Sequence, residues 1–203
     1  MPLCIQTLES RCLFSVNAMT LAYDLSAAKV DATADRVAVY AIASRSSADL
    51  KALKADLKGT GEANQALLKT VQSAENQYVG NLNTDVNALL QATGLAQQGA
   101  ADGMALLRRP STRRVAEVKA DIAALIASTP GPLAAIRVDE QSTAVSDALS
   151  ALLAANSSNP ALAADAKKLN TDNSVIGATI IADSQDFKFT LDDLETHLLT
   201  LVA

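Results

Sequence analysis

Apolar and small residues recur along most of this chain at the spacing of a helix rather than of a strand. Between Glu62 and Leu107 they fall at Leu67, Val71, Ala74, Tyr78, Leu82, Val86, Leu89, Thr93 and Ala96, eight steps over 29 residues and about 3.6 residues per step. A helix over that stretch would run roughly 70 Å at about 1.5 Å per residue, and a helix so long needs a long partner. The preceding segment supplies one. Asn17 can cap its start, and a stripe follows at Leu21, Leu25, Ala28, Ala32, Asp35, Val39, Ile42, Ser46, Leu50, Leu53 and Leu57. Val30, Val37 and Tyr40 are expected to widen it, Asp35 and Ser46 to sit on a wet edge, and Ser44–Ser47 to kink it. Gly59-Thr60-Gly61 then gives a tight reversal, which makes the two stripes an antiparallel hairpin.

Beyond the hairpin the signals shorten. Gly94, Gly99 and Gly103 mark either close helix contact or a break near 99–103. After Pro110, Val115, Val118, Ile122 and Leu125 form a short stripe that ends at Thr129-Pro130-Gly131-Pro132. A fourth helix is expected from Leu133 to Ala155, with Val145, Leu149 and Leu152 inside. The loop Asn156–Pro160 precedes a fifth, burying Leu162, Leu169, Ile176 and Ile180, with Asn173 on the same stripe. Phe187 and Phe189 read as an extended link. Thr190 with Asp193 resembles a capping box opening a last helix through Leu191, Leu194, Leu198 and Leu201.

The predicted fold is all-α, an elongated antiparallel bundle of five to six helices led by the Asn17–Leu107 hairpin. Residues 1–16 form a leader, and 17–203 a single helical-bundle domain. Composition agrees with this reading. Half of the chain, 49%, is apolar, but aromatic residues are only 3%, so Ala and Leu, the strongest apolar helix formers, build the core. Small side chains let helices approach closely.

Charge and residue types narrow the chemistry. The net charge is −5, from 17 basic and 22 acidic residues, and aromatic stacking platforms are scarce, which argues against nucleic acid as the partner. No run of apolar residues is long enough to span a bilayer. Cys4 and Cys12 are the two cysteines, eight residues apart, and match no zinc pattern.

The N-terminal stretch lacks a basic start and an uninterrupted apolar run, so it is a poor secretory signal. Its segment Leu8-Glu9-Ser10-Arg11-Cys12-Leu13-Phe14-Ser15 resembles the L-E-P-R-x-L-L motif that opens many secreted or surface proteins of planctomycete-type bacteria. Leu8, Glu9, Arg11 and Leu13 match, while Ser10 replaces the proline and Phe14 the last leucine. The resemblance implies sorting to the cell surface or exterior, and no fold or activity. The plain alternative is a frayed tail or first helical turn in a cytoplasmic protein.

His197 is the one histidine, which nearly excludes Ser–His–Asp, Cys–His and multi-histidine metal sites, and it is read as structural, favoured near a helix C-terminus. The acids Asp183, Asp186, Asp192, Asp193 and Glu195 fail the EF-hand spacing, because Lys188 and Leu194 stand where glycine and a carboxylate are needed. They are read as helix-start acids. Arg108, Arg109, Arg113 and Arg114 form the strongest local charge feature. They fit either a grip on an acidic or anionic partner or a solvated loop. No catalytic, cofactor or metal site is assigned. The leading expectation is a non-catalytic, exported scaffold or interaction module with a protein or envelope partner, or a self-associating one. The alternative is an amphipathic lipid or envelope binder, and an enzyme ranks last.

Overall fold

The computed structural model describes residues 16–203, and among them every regular element is an α-helix. Seven segments follow in order: α1 (Ala18–Asp56), α2 (Glu62–Leu90), α3 (Ala92–Arg108), α4 (Thr112–Ser128), α5 (Pro130–Glu140), α6 (Ala144–Ala155) and α7 (Pro160–Val202). Three of the gaps are brief. Gln91 and Thr129 keep right-handed helical dihedrals, and 141–143 is a three-residue break. The segments therefore group into four helical arms, 18–56, 62–108, 112–155 and 160–202, instead of five to six helices.

Local chemistry explains the ends. The Asn17 side chain accepts from the backbone N–H groups of Met19 and Thr20 at 2.8 and 3.1 Å, the cap expected for α1. After Asp56 the chain turns through Gly59, whose φ of 83° suits a residue without Cβ. Thr60 and Gln65 side chains then donate to the Leu57 carbonyl, closing the turn. Pro130 sits in the first turn of α5, where its missing N–H costs nothing, so α5 starts at 130 and the predicted 133–155 helix divides in two.

Several expectations are corrected. Val30, Val37 and Tyr40 do not widen the α1 stripe; all three are exposed, whereas Asp35 and Ser46 are buried rather than at a wet edge. The Ser44–Ser47 stretch does not interrupt α1. Nor does α3 break at Gly99–Gly103; the interruption falls earlier, at Gln91. The extended link at 187–189 and the capped helix after it do not exist, because α7 runs unbroken through both. The reason is visible in its buried side chains, at 162, 166, 169, 173, 176, 180, 184, 187, 191, 194 and 198. They take ten steps over 36 residues, and Asn173 and Ser184 are polar members of that stripe. In sequence, Phe187-Lys188-Phe189 alternates as a strand does, with both phenylalanines on one face; in the helix residues two apart turn nearly opposite ways, so Phe187 is buried and Phe189 exposed.

The chain divides into two compact units. The first joins the start of α1, to Val30, with α3, α4 and the end of α7 from Phe187. Its core includes Leu21, Ala96, Leu106, Val118, Ile122, Leu194 and Leu198. Gly99 and Gly103 serve close packing there: a Cβ on Gly103 would stand 2.7 Å from Leu198 Cδ2 and 2.9 Å from Leu21 Cδ1. The second unit holds 31–90 and 129–186, with Val39, Ile42, Leu53, Leu82, Ile136, Leu152 and Ile180 inside. In it α2 packs on both α5 and α6.

Candidate functional site

In the second unit α1 and α2 lie side by side on either side of the 57–61 loop, and a groove of about 640 Å³ runs between them. Tyr40, Ala43, Leu50 and Val79 supply its apolar walls. Gly80 opens it further, since nothing lies within 4 Å of where a Cβ would stand. Lys51 and Lys54 at one end are its charged residues, and neither side chain has an ion-pair or hydrogen-bond partner among the described residues. Tyr40 at the other end is 68% exposed. From Tyr40 to Lys54 the helix rises roughly 21 Å, about four turns. The steps Tyr40, Ser47, Lys51, Lys54 follow heptad spacing and so share one outer face of α1. The sequence reading missed this face by assigning Tyr40 to the core.

The core of this unit, apolar for the most part, also holds charged residues. Asp35 and Asp49 of α1 and Glu75 of α2 are buried acids. Each finds its partner on α7: Ser184 donates to Asp35 at 2.9 Å, Lys168 reaches Asp49, and the Asn173 amide donates to Glu75 at 2.7 Å. Lys168 also pairs with Asp172 at 2.9 Å. Burial raises Asp35 from the usual carboxyl range to about 7, against the Ser184 hydrogen bond and aided by the nearby charges of Asp183 and Asp31. Glu75 is raised by the same loss of solvent, opposed by Asn173 and Ser46. In the first unit His197 of α7 likewise meets a buried acid of α1, Asp24, at 2.7 Å. The sequence suggested a helix-end charge for His197; its contact is an acid on another helix, and α7 continues to Val202.

Acids scattered along the sequence are brought together in pairs that spacing does not reveal. Asp121 and Asp102 share a hydrogen bond in the first unit. Burial first, then Asp102, raises Asp121 to about 6. In the second unit Asp85 lies against Asp139, and Asp56 against Asp165; burial is the larger cause of the upward shift of Asp85 and Asp56, and the paired acid adds to it. Two like charges that close oppose each other's ionisation. No group of three or more His, Cys, Asp or Glu among the described residues is arranged to hold a metal ion.

The arginine turn of the first unit is partly committed to structure. Arg114 donates to the carbonyls of Ala105 and Arg109 at 3.2 and 2.7 Å, satisfying the end of α3, and Arg113 pairs with Glu117 at 2.8 Å. Arg108 and Arg109 are exposed, and their side chains hold no partner among the described residues. The acids 183–195 are not at a helix start; they lie within α7, with Asp192 paired to Lys188. Leu8, Glu9, Arg11 and Leu13 fall outside the described residues.

No protein-family model matches this sequence, and neither a characterised protein nor a solved structure matches it. No helix among the described residues is long and apolar enough to cross a membrane.

Proposed function

We propose that this protein is a non-catalytic binding module whose α1–α2 groove receives an acidic amphipathic helix of a partner protein. One observation carries the reading: Lys51 and Lys54, without an ion-pair or hydrogen-bond partner among the described residues, are the charged residues of a groove whose other walls are uncharged, apolar at Tyr40, Ala43, Leu50 and Val79 and polar at Gln72, Asn76 and Asn83, in a chain of net charge −5. A partner helix would set apolar residues against Ala43, Leu50 and Val79, at spacings of three and four, with its acids over the two lysines. Small residues at Ala43, Ser47 and Gly80 allow the close approach such packing needs.

The test is a photo-crosslinking residue at Tyr40, compared with one at the exposed Val138 of the same unit. A single partner should crosslink from position 40 and not from 138, through a segment rich in Asp or Glu. The double change Lys51→Glu, Lys54→Glu should abolish it. A crosslink that survives this charge reversal refutes the reading.

The resemblance of Leu8–Ser15 to a sorting motif supports placing the module outside the cell or on its surface. Recovery wholly from the cytosol, with the first residues retained, would sink that part. Binding to a lipid surface is the second reading, favoured by Met19 and Tyr23, which are 82% and 75% exposed at the start of α1. Flotation with anionic liposomes at low salt decides it: no co-flotation ends the idea.

A further inference from the structure

The third arm is broken at 141–143, between Glu140 of α5 and Ala144 of α6. Across from the break, α2 brings Tyr78 and α7 brings Asn173, and a cavity of about 290 Å³ opens among them. That volume sits at the lower end of small-molecule sites, roughly 300–1,000 Å³. Its lining holds Glu140 and no lysine or arginine.

Gln141, Ser142, Asn170 and Ser174 bring amide and hydroxyl donors at exposed positions of the rim; the hydrogen-bond account of the remaining polar groups is one-sided. Ser146 spends its hydroxyl proton on the Thr143 carbonyl at 2.8 Å, and Thr143 spends its own on Asp147 at 2.8 Å. The Tyr78 hydroxyl points its proton at the Asn173 carbonyl at 3.5 Å. The Asn173 amide nitrogen is held by Glu75, so its side-chain oxygen is left buried, 7% exposed as a residue, with no donor. What these groups have left to offer a ligand is lone pairs, beside the carboxylate of Glu140. A neutral polyol brings a lone pair with every hydroxyl and would meet donors at the rim only, away from Glu140 and the Asn173 oxygen. The surrounding field has the same sign. Burial, then Glu140, Glu75 and Asp139, pushes the Tyr78 phenol up to about 12.

We infer that this cavity binds a small organic ammonium ion, a protonated primary amine whose N–H groups are shared by Glu140, the Asn173 side-chain oxygen and the hydroxyl oxygens of Tyr78 and Thr143. An ammonium is all donor and no acceptor, the complement of this wall. The site is separate from the α1–α2 groove and does not depend on what that groove binds.

Saturation-transfer NMR on the full chain at pH 7 tests it with four probes of similar size: propylammonium, propanol, propionate and tetramethylammonium. Propylammonium should give a saturable signal, and the other three none at the same concentration. Glu140→Gln should weaken it about tenfold or more, the scale of losing one charge-assisted hydrogen bond. Ser146→Leu, which fills the cavity from α6, should abolish it. Ser174→Leu, at an exposed rim position, does the same job should the α6 variant melt early. Equal binding of propanol, or of tetramethylammonium, overturns the donor-based inference. Propylammonium binding that survives both leucine variants places the site elsewhere, and no signal from any probe ends the proposal.

Discussion

Ser184 donates its hydroxyl to Asp35 at 2.9 Å although 149 residues separate them, and neither side chain touches solvent. The second carboxylate oxygen of Asp35 has no partner at all. A charged aspartate in that place costs more than a protonated one, which is why its pKa stands near 7. Between about pH 4 and 7 the folded chain keeps the proton and the unfolded chain has lost it, so stability falls as pH rises through that window. Asp121, near 6, acts in the same direction.

Urea unfolding should therefore give a higher midpoint at pH 5 than at pH 8. Asp35→Asn keeps an acceptor for Ser184 and removes the charge. It should stabilise the protein at pH 8 by on the order of 1–3 kcal/mol and flatten the pH dependence. A midpoint that rises from pH 5 to pH 8 in the unaltered chain would show that Asp35 is solvated.

Lys168 tests the other buried acid of α1. Lys168→Met should lower stability, since it strands the carboxylate of Asp49, which is 4% exposed. Adding Asp49→Asn should recover much of that loss. A double variant no more stable than Lys168→Met alone would mean the lysine acts through packing or through Asp172 instead.

Two glycines of α3 should respond oppositely to the same change. Gly94 has open space around it, so Gly94→Ala should add about 0.5–1 kcal/mol through helix propensity. At Gly103 the new methyl meets Leu198 and Leu21, and crowding of about 1 kcal/mol or more cancels or reverses the gain. Chemical denaturation of the two variants side by side measures the difference; equal gains would show that the leucines swing aside.

The arginine turn should split the same way. Arg114→Ala should lose about 0.5–1.5 kcal/mol with the carbonyl contacts at the end of α3. Arg108→Ser with Arg109→Ser should stay within about 0.5 kcal/mol of the parent chain. If the exposed pair proves as costly as Arg114, it is held in the fold by contacts beyond those seen at this turn.

The helical class, the Asn17 cap and the turn at Gly59 were legible because each is written in neighbouring residues. The α2 stripe was legible too, since Val71, Tyr78, Leu82, Val86 and Leu89 are buried as their period demands. What misled was polarity inside a stripe. Asp35 and Ser46 look like flaws in sequence because their partners lie on other helices, and the alternation at Phe187-Lys188-Phe189 with a capping-box pattern at Thr190 and Asp193 made one long α7 read as two. The exposed face carrying Tyr40 failed for the converse reason: an apolar residue at a near-helical spacing is assigned to the core by default. The groove lysines and the carboxyl pairs depend on which helices meet, and no local pattern records that.

The matching of acids on α1 to partners on α7 sets limits on how this sequence can drift. Asp35 and Asp49 are 14 residues apart, and Ser184 and Lys168 are 16 apart, running the opposite way. Adding one residue to α7 between 168 and 184 turns everything after it by about 100°. Ser184 would leave Asp35, and the leucine side of the helix would turn with it. Length changes should therefore accumulate among descendants of this chain in the loops at 57–61, 109–111 and 156–159 and stay out of the interior of α7, whatever substitutions its surface accepts.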